Sequence, residues 1–154
     1  MNRLISFAAA PLLAVAVFAA SANAGPLEDR QALMKDQGKA VGSVTPIVKG
    51  EKPFDAAVVT AALKKLNEDA QKIDVATLFP AGSDQGKTTV SPKVWTDSAG
   101  FAAAVEKYKA DTAAAVAADP KDLDSFKVAF NQVSDNCGAC LQTYPIKKEQ
   151  SNRG

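Results

Sequence analysis

A chain of 154 residues with 47% hydrophobic side chains and a net charge of +1 holds enough apolar material for one ordinary domain. The near balance of 18 basic and 17 acidic side chains leaves no electrostatic footprint for nucleic acid or for an anionic membrane surface. The chain has two cysteines and no histidine, which excludes an imidazole base and a closed four-ligand zinc site within one chain.

The first 24 residues divide into a basic start at Met1-Asn2-Arg3, an apolar run from Leu4 to Ala20 interrupted by Ser6 and Pro11, and Ser21-Ala22-Asn23-Ala24. This three-part layout with an A-x-A ending is that of a secretory signal peptide cleaved after Ala24. A membrane anchor needs about 20 unbroken apolar residues and no cleavage site. Residues 1–24 are therefore read as the signal and 25–154 as one domain delivered to the periplasm, with no membrane association after cleavage. Arg3 is the only charge that leaves with the signal, so basic and acidic side chains balance in 25–154. Exported compartments are oxidising, so a close cysteine pair is expected to be disulfide-bonded, metal-bound or covalently occupied.

The first predicted helix runs from about Leu27 to Val48, with Met34, Val41 and Val48 seven apart; Gly38, Gly42 and Pro46 are expected to kink or shorten its second half. Lys49 to Pro53 reads as a turn. Asp55 is placed to cap a second helix reaching about Ile73, in which Val59, Leu63, Leu66, Ala70 and Ile73 repeat at helical spacing. The long connection from Asp74 to Val94 carries Pro80, Gly82, Gly86 and Pro92, and reads as a crossover plugged by Leu78 and Phe79. A third helix is expected over Lys93–Ala118, with Phe101, Val105, Tyr108 and Thr112 on one face, ended by Asp119-Pro120. The fourth starts near Lys121. Its stripe of Leu123, Phe126, Phe130, Val133, Cys137, Cys140 and Tyr144 is unbroken, which predicts one buried face and places both cysteines towards the core. Strand signals are nearly absent. Four amphipathic helices with short first and third connections and a long middle one predict an all-α, antiparallel four-helix bundle.

On a helix, residues three apart have Cβ atoms about 5–6 Å from each other, whereas a relaxed disulfide wants about 3.5–4.5 Å. A Cys137–Cys140 bridge would therefore be strained and reducible. A thioredoxin-like pair needs a cysteine at a helix N-terminus, and the predicted helix precedes Cys137 by several turns. The remaining reading is covalent attachment of haem, since two thiols on one helix face match two thioether bonds to one porphyrin edge; a following histidine would ordinarily supply the iron ligand.

These residues carry a resemblance to a family. Arg30-Gln31, Thr45 to Gly50, Pro53-Phe54-Asp55, Leu78-Phe79-Pro80, Pro92 to Trp95, Phe101, and then Phe130, Val133, Cys137, Cys140 and Tyr144 follow in order over the whole of 25–154. In this the chain resembles the class II c-type cytochromes, cytochrome c prime and its low-spin relatives. The resemblance implies a periplasmic four-helix bundle carrying haem c, with Cys137 and Cys140 as the thioether attachment points. It also implies Met34 as an axial iron ligand, a redox partner protein, and a homodimer formed through the first two helices. Two positions depart from it. Leu141 stands where the family has its proximal histidine, and Pro145 where it usually has an arginine near a haem propionate. Lys147 and Lys148 are the nearest other donors, and a lysine coordinates only when deprotonated, against a reference pKa near 10.4.

Two functions stay open on the sequence. One is an electron-carrying haem protein with a degenerate attachment motif, CGACL. The other is a haemless bundle that binds a small apolar ligand or a protein partner, with Cys137 and Cys140 as a disulfide or redox pair. No enzyme is expected, because no nucleophile motif or phosphate-binding glycine loop is present.

Overall fold

The computed structural model describes residues 25–146; the signal reading of 1–24 and the two lysines at 147 and 148 lie outside them. Six helices follow in order: α1 Pro26–Val48, α2 Ala56–Gln71, α3 Val75–Leu78, α4 Lys93–Thr96, α5 Ser98–Ala117 and α6 Leu123–Thr143. The four long ones form the antiparallel bundle expected, with α1 packed along α2, α2 along α5 and α5 along α6, while α1 and α6 meet more sparsely.

Contrary to expectation, α1 is a single helix of 23 residues. Pro26 sits in its first turn, where the missing N–H is no loss, and Pro46 falls in the last turn. The Pro46 carbonyl then accepts from the N–H groups of Glu51 and Lys52 at 2.8 and 3.1 Å, and Gly50 adopts the left-handed φ of 74° that closes the turn. The buried face also differs from the predicted one. Arg30, Gln37, Ala40, Val44 and Ile47 are inside, Val41 and Val48 flank them, and Met34 is 62% exposed. Burying Val44 and Ile47 turns the helix so that Arg30 meets the crossover, which leaves Met34 on its side.

In α2 the predicted stripe is the buried one, from Val59 to Ala70, with Ile73 packed at its end. The Asp55 carboxylate accepts from the N–H groups of Ala57 and Val58. The crossover contains α3, capped by Asp74, and α4. Leu78 is buried and Phe79 packs edge-on to Phe101 with ring centroids 4.8 Å apart, so the plug forms as expected. The third predicted helix is broken at Asp97, whose non-helical backbone separates α4 from α5. Its carboxylate accepts from the Gly100 N–H at 3.3 Å and from the Tyr144 hydroxyl at 3.0 Å, bonds that a residue inside a continuous helix could not combine.

A capping box between Asp122 and Ser125 starts α6. Phe126, Ala129, Phe130 and Val133 are buried, and Tyr144 is buried at the C-cap. Between them the stripe opens: Cys137 is exposed and Cys140 half-buried. Cys140 keeps the expected side, packed against a core cluster, and Cys137 lines a cleft between the long helices, but the expected burial of Cys137 is corrected, since the residue is exposed. At this level α1 presents Gly38, where an added Cβ would meet nothing within 4 Å.

Two apolar clusters result. The larger joins α1, α2, α5 and the first half of α6 around Phe126 and Leu66. The smaller gathers Val94, Phe101, Val105 and Tyr144 with Phe79 and Trp95 at the other end, and Cys140 packs against it.

Candidate functional site

The sulfur-bearing residues lie where α6 leaves the larger core. Cys137 lines a cleft of about 180 Å³ that all four long helices wall: Met34, Gln37, Gly38 and Val41 from α1, Leu66 from α2, Tyr108 from α5, and Phe130, Val133 and Ser134 beside Cys137 on α6. Met34 and Cys137 therefore share one cleft, from neighbouring helices. Cys140, about 60° away around the helix axis, instead lines a cavity of about 550 Å³ between α5 and α6, with Asp97, Gly100, Lys107, Asn136 and Tyr144 in its wall. Leu141, one turn beyond Cys137, is 51% exposed.

Burial of the sulfur atoms pushes both thiols above their ordinary pKa even though the Cys137 residue is exposed as a whole, and a charge on Cys137 raises Cys140 further. Both are thus neutral thiols near pH 7, unlike the activated thiolates of redox enzymes. They are free in this structure. Tyr108 has its phenol pushed far up, first by burial and then by the neighbouring Cys137 and Asp69, so it remains a neutral hydroxyl.

Polar groups frame this end of the bundle. Arg30, 5% exposed, donates from Nη1 to the Leu78 carbonyl at 2.8 Å and to Ser83 Oγ at 2.9 Å, and from Nη2 to the Ser83 carbonyl at 2.8 Å. Its guanidinium lies 5.0 Å from the Phe79 ring centroid. Trp95 Nε1 donates to the carbonyls of Phe79 and Pro80. On α5, Asp111 takes hydrogen bonds from Lys107, from Gln132 at 3.0 Å and from Asn136 at 2.7 Å, locking α5 to α6 one turn before Cys140. Neither Arg30 nor Gln37 was expected to be buried. The sequence signal was their spacing of seven, in phase with Val44, but both side chains are polar and an apolar pattern passes over them.

The residues present fit a large apolar group with covalent tethers only in part, since Cys137 and Cys140 line different cavities and the cleft at Cys137 holds about 180 Å³. Two free thiols stand on adjacent faces of α6, the cleft walls are aliphatic and aromatic, and Gln37 keeps a buried Nε2 with no acceptor. Met34 offers a soft thioether. The residue after the second thiol adds no ligand: Leu141 has no lone pair for a metal. Pro145 follows the α6 C-cap and is exposed.

The comparisons with known proteins place this bundle among the c-type cytochromes, haem-binding, electron-transferring proteins. The chain belongs to the cytochrome c′ family, whose model, described as Cytochrome C', matches residues 25–144; its members carry haem c. Cytochrome c-556 of Agrobacterium fabrum is 37% identical over 137 residues, covering 89% of each chain. Cytochrome c′ of Rhodopseudomonas palustris is 35% identical over 123 residues, 79% of this chain and 82% of the relative. A solved structure of cytochrome c′ from Rhodopseudomonas palustris superposes with a TM-score of 0.74 at 34% identity, covering 81% of this chain and 98% of that one. Among the described residues no helix is long and apolar enough to cross a membrane.

Proposed function

We propose that the chain is an exported electron carrier that holds haem c through thioether bonds at Cys137 and Cys140, with Met34 as the protein's own iron ligand. The observation that carries this reading is the shared cleft, which Met34 on α1 and Cys137 on α6 both line. In attachment each thiol adds across a vinyl group: the Sγ–carbon bond forms, the S–H hydrogen passes to the far vinyl carbon, and nothing leaves. Bound there, haem c supplies one-electron exchange between ferric and ferrous iron. The protein's share would be to line the group's surroundings with Leu66, Tyr108, Phe130 and Val133, which would keep water away, and to offer the Met34 sulfur. Thioether ligation favours the ferrous state and raises the potential. The partner in this reading is a redox protein, and the chain pairs with a second copy through α1 and α2, as the family resemblance implies.

Protein purified from the periplasm tests this. A pyridine haemochrome spectrum and a Soret band that survives acid-acetone extraction are expected, with Cys137→Ala and Cys140→Ala each leaving one thioether. A colourless protein whose two thiols resist alkylation until reduced would instead select the haemless bundle with a bridged pair.

A further inference from the structure

We propose that the cleft beside Cys137 is a binding site for a neutral, single-ring molecule bearing a carbonyl oxygen, with the Gln37 side-chain amide as the donor to that oxygen. The inference does not rest on the haem reading. The cleft holds about 180 Å³, too little for a porphyrin macrocycle. An engineered apolar cavity of about 150 Å³ takes benzene, so one six-membered ring with a single substituent is the matching size. Gly38 leaves room on the α1 side, where an added Cβ would meet nothing within 4 Å.

The lining sets the chemistry of the occupant. Val41, Leu66, Phe130 and Val133 make the walls apolar, and no charged side chain lines them. A charged ligand would give up its hydration there without a counter-ion. Gln37 is the polar exception: it is 7% exposed, and its Nε2 is buried with no hydrogen-bond partner among the described residues. The Ser134 hydroxyl, in the same wall, already donates to the Asn131 carbonyl at 3.1 Å. Tyr108 adds a phenol that stays protonated, because burial and the neighbouring Cys137 and Asp69 oppose its ionisation. What the amide needs is an acceptor. A buried donor left unpaired costs the desolvation of that group, and a ligand oxygen recovers it. A carbonyl answers the N–H without bringing a hydrogen that would itself need an acceptor.

Isothermal titration calorimetry on the chain purified from the periplasm tests this, with cyclohexanone as the probe and methylenecyclohexane as its counterpart without the oxygen. Saturable binding of a single cyclohexanone is expected. Gln37→Met keeps the length of the side chain and removes its donor, and should shift the ratio of the two affinities about fivefold against the ketone. Gly38→Leu should fill the cleft and lose both ligands, and replacing a helical glycine with leucine favours folding. Far-UV circular dichroism checks that each variant is folded. No saturable binding of cyclohexanone would overturn the proposal. So would an affinity ratio that Gln37→Met leaves unchanged, or binding that survives Gly38→Leu. The colour of the protein separates this outcome from the haem reading. A coloured protein that binds no ketone overturns this inference alone, whereas a colourless one that binds it upholds this inference and overturns the haem reading.

Discussion

Arg30 Nη1 on α1 reaches the carbonyl oxygen of Leu78 at 2.8 Å, so a charged side chain near the start of the first helix fastens the end of α3. The guanidinium also holds both the hydroxyl and the carbonyl of Ser83 and stacks on Phe79. One planar fork thus fixes the crossover against the bundle. Arg30→Ala should lower stability by about 2–4 kcal/mol, since each hydrogen bond from a charged donor is worth about 1.5–3 kcal/mol and part of that returns through water. Arg30→Lys should recover only part of the loss, because an ammonium is a point donor without the fork. Urea unfolding at constant m-value measures both.

Met34→Leu separates ligand from packing. The side chain is mostly in solvent, so its replacement by an apolar residue of similar size should change stability by no more than about 0.5 kcal/mol. If Met34 ligates the iron, the same variant should lower the midpoint potential and alter the spectrum of the haem-loaded protein. An unchanged potential would remove Met34 from the site.

Asp97 and Tyr144 give a second structural test. Tyr144→Phe deletes one hydrogen bond to the Asp97 carboxylate and should cost about 1 kcal/mol. Asp97→Ala also removes the α5 cap and should cost more, about 1.5–3 kcal/mol. Thermal unfolding followed by circular dichroism gives the order of the two.

Acid should loosen the α5–α6 contact. Hydrogen bonding to Lys107, then to Asn136 and Gln132, holds the Asp111 carboxyl below its usual range. A carboxyl depressed in the folded state binds fewer protons there than in the unfolded chain, so its contribution is fully present above the unfolded pKa, about 3.9. It is lost as pH falls from about 4 through the lower folded value. Asp36, Asp74 and Asp122 are shifted in the same direction. Asp111→Asn should therefore be less stable than wild type at pH 7 and show a shallower decline below pH 4. Parallel declines would show that Asp111 does not contribute.

In protein produced without haem, Cys137 should alkylate before Cys140. Cys137 is the more exposed of the two, and its charge once formed opposes ionisation of its neighbour. Both should react more slowly at pH 8 than a free cysteine, because burial raises each thiol's pKa and the thiolate is the nucleophile. Peptide mass spectrometry after timed iodoacetamide treatment reads the order.

The bundle was legible where apolar residues alone set the face. In α2 the stripe from Val59 to Ala70 runs without a break and Asp55 marks its start, and the structure follows both. The face of α1 was not legible, because its first turns bury Arg30 and Gln37, and Arg30 finds its partners 48 and 53 residues away in the crossover. The break at Asp97 was hidden for a similar reason, since it depends on the hydroxyl of Tyr144, 47 residues on. For the candidate site, the thiol pair and its helix could be read directly. The exposure of Cys137 could not, because it depends on how the neighbouring helices pack around α6 and not on spacing within it.

The aromatic end of the bundle carries an optical consequence. Trp95 is the only tryptophan in the chain, pinned by its indole N–H to two crossover carbonyls and packed in the same cluster as Cys140. Its fluorescence is therefore a single-colour lamp fixed in the cluster that Cys140 packs against. It should shine in the bare polypeptide and go dark, by energy transfer, as pigment is loaded, so that maturation can be followed in a cuvette without a label.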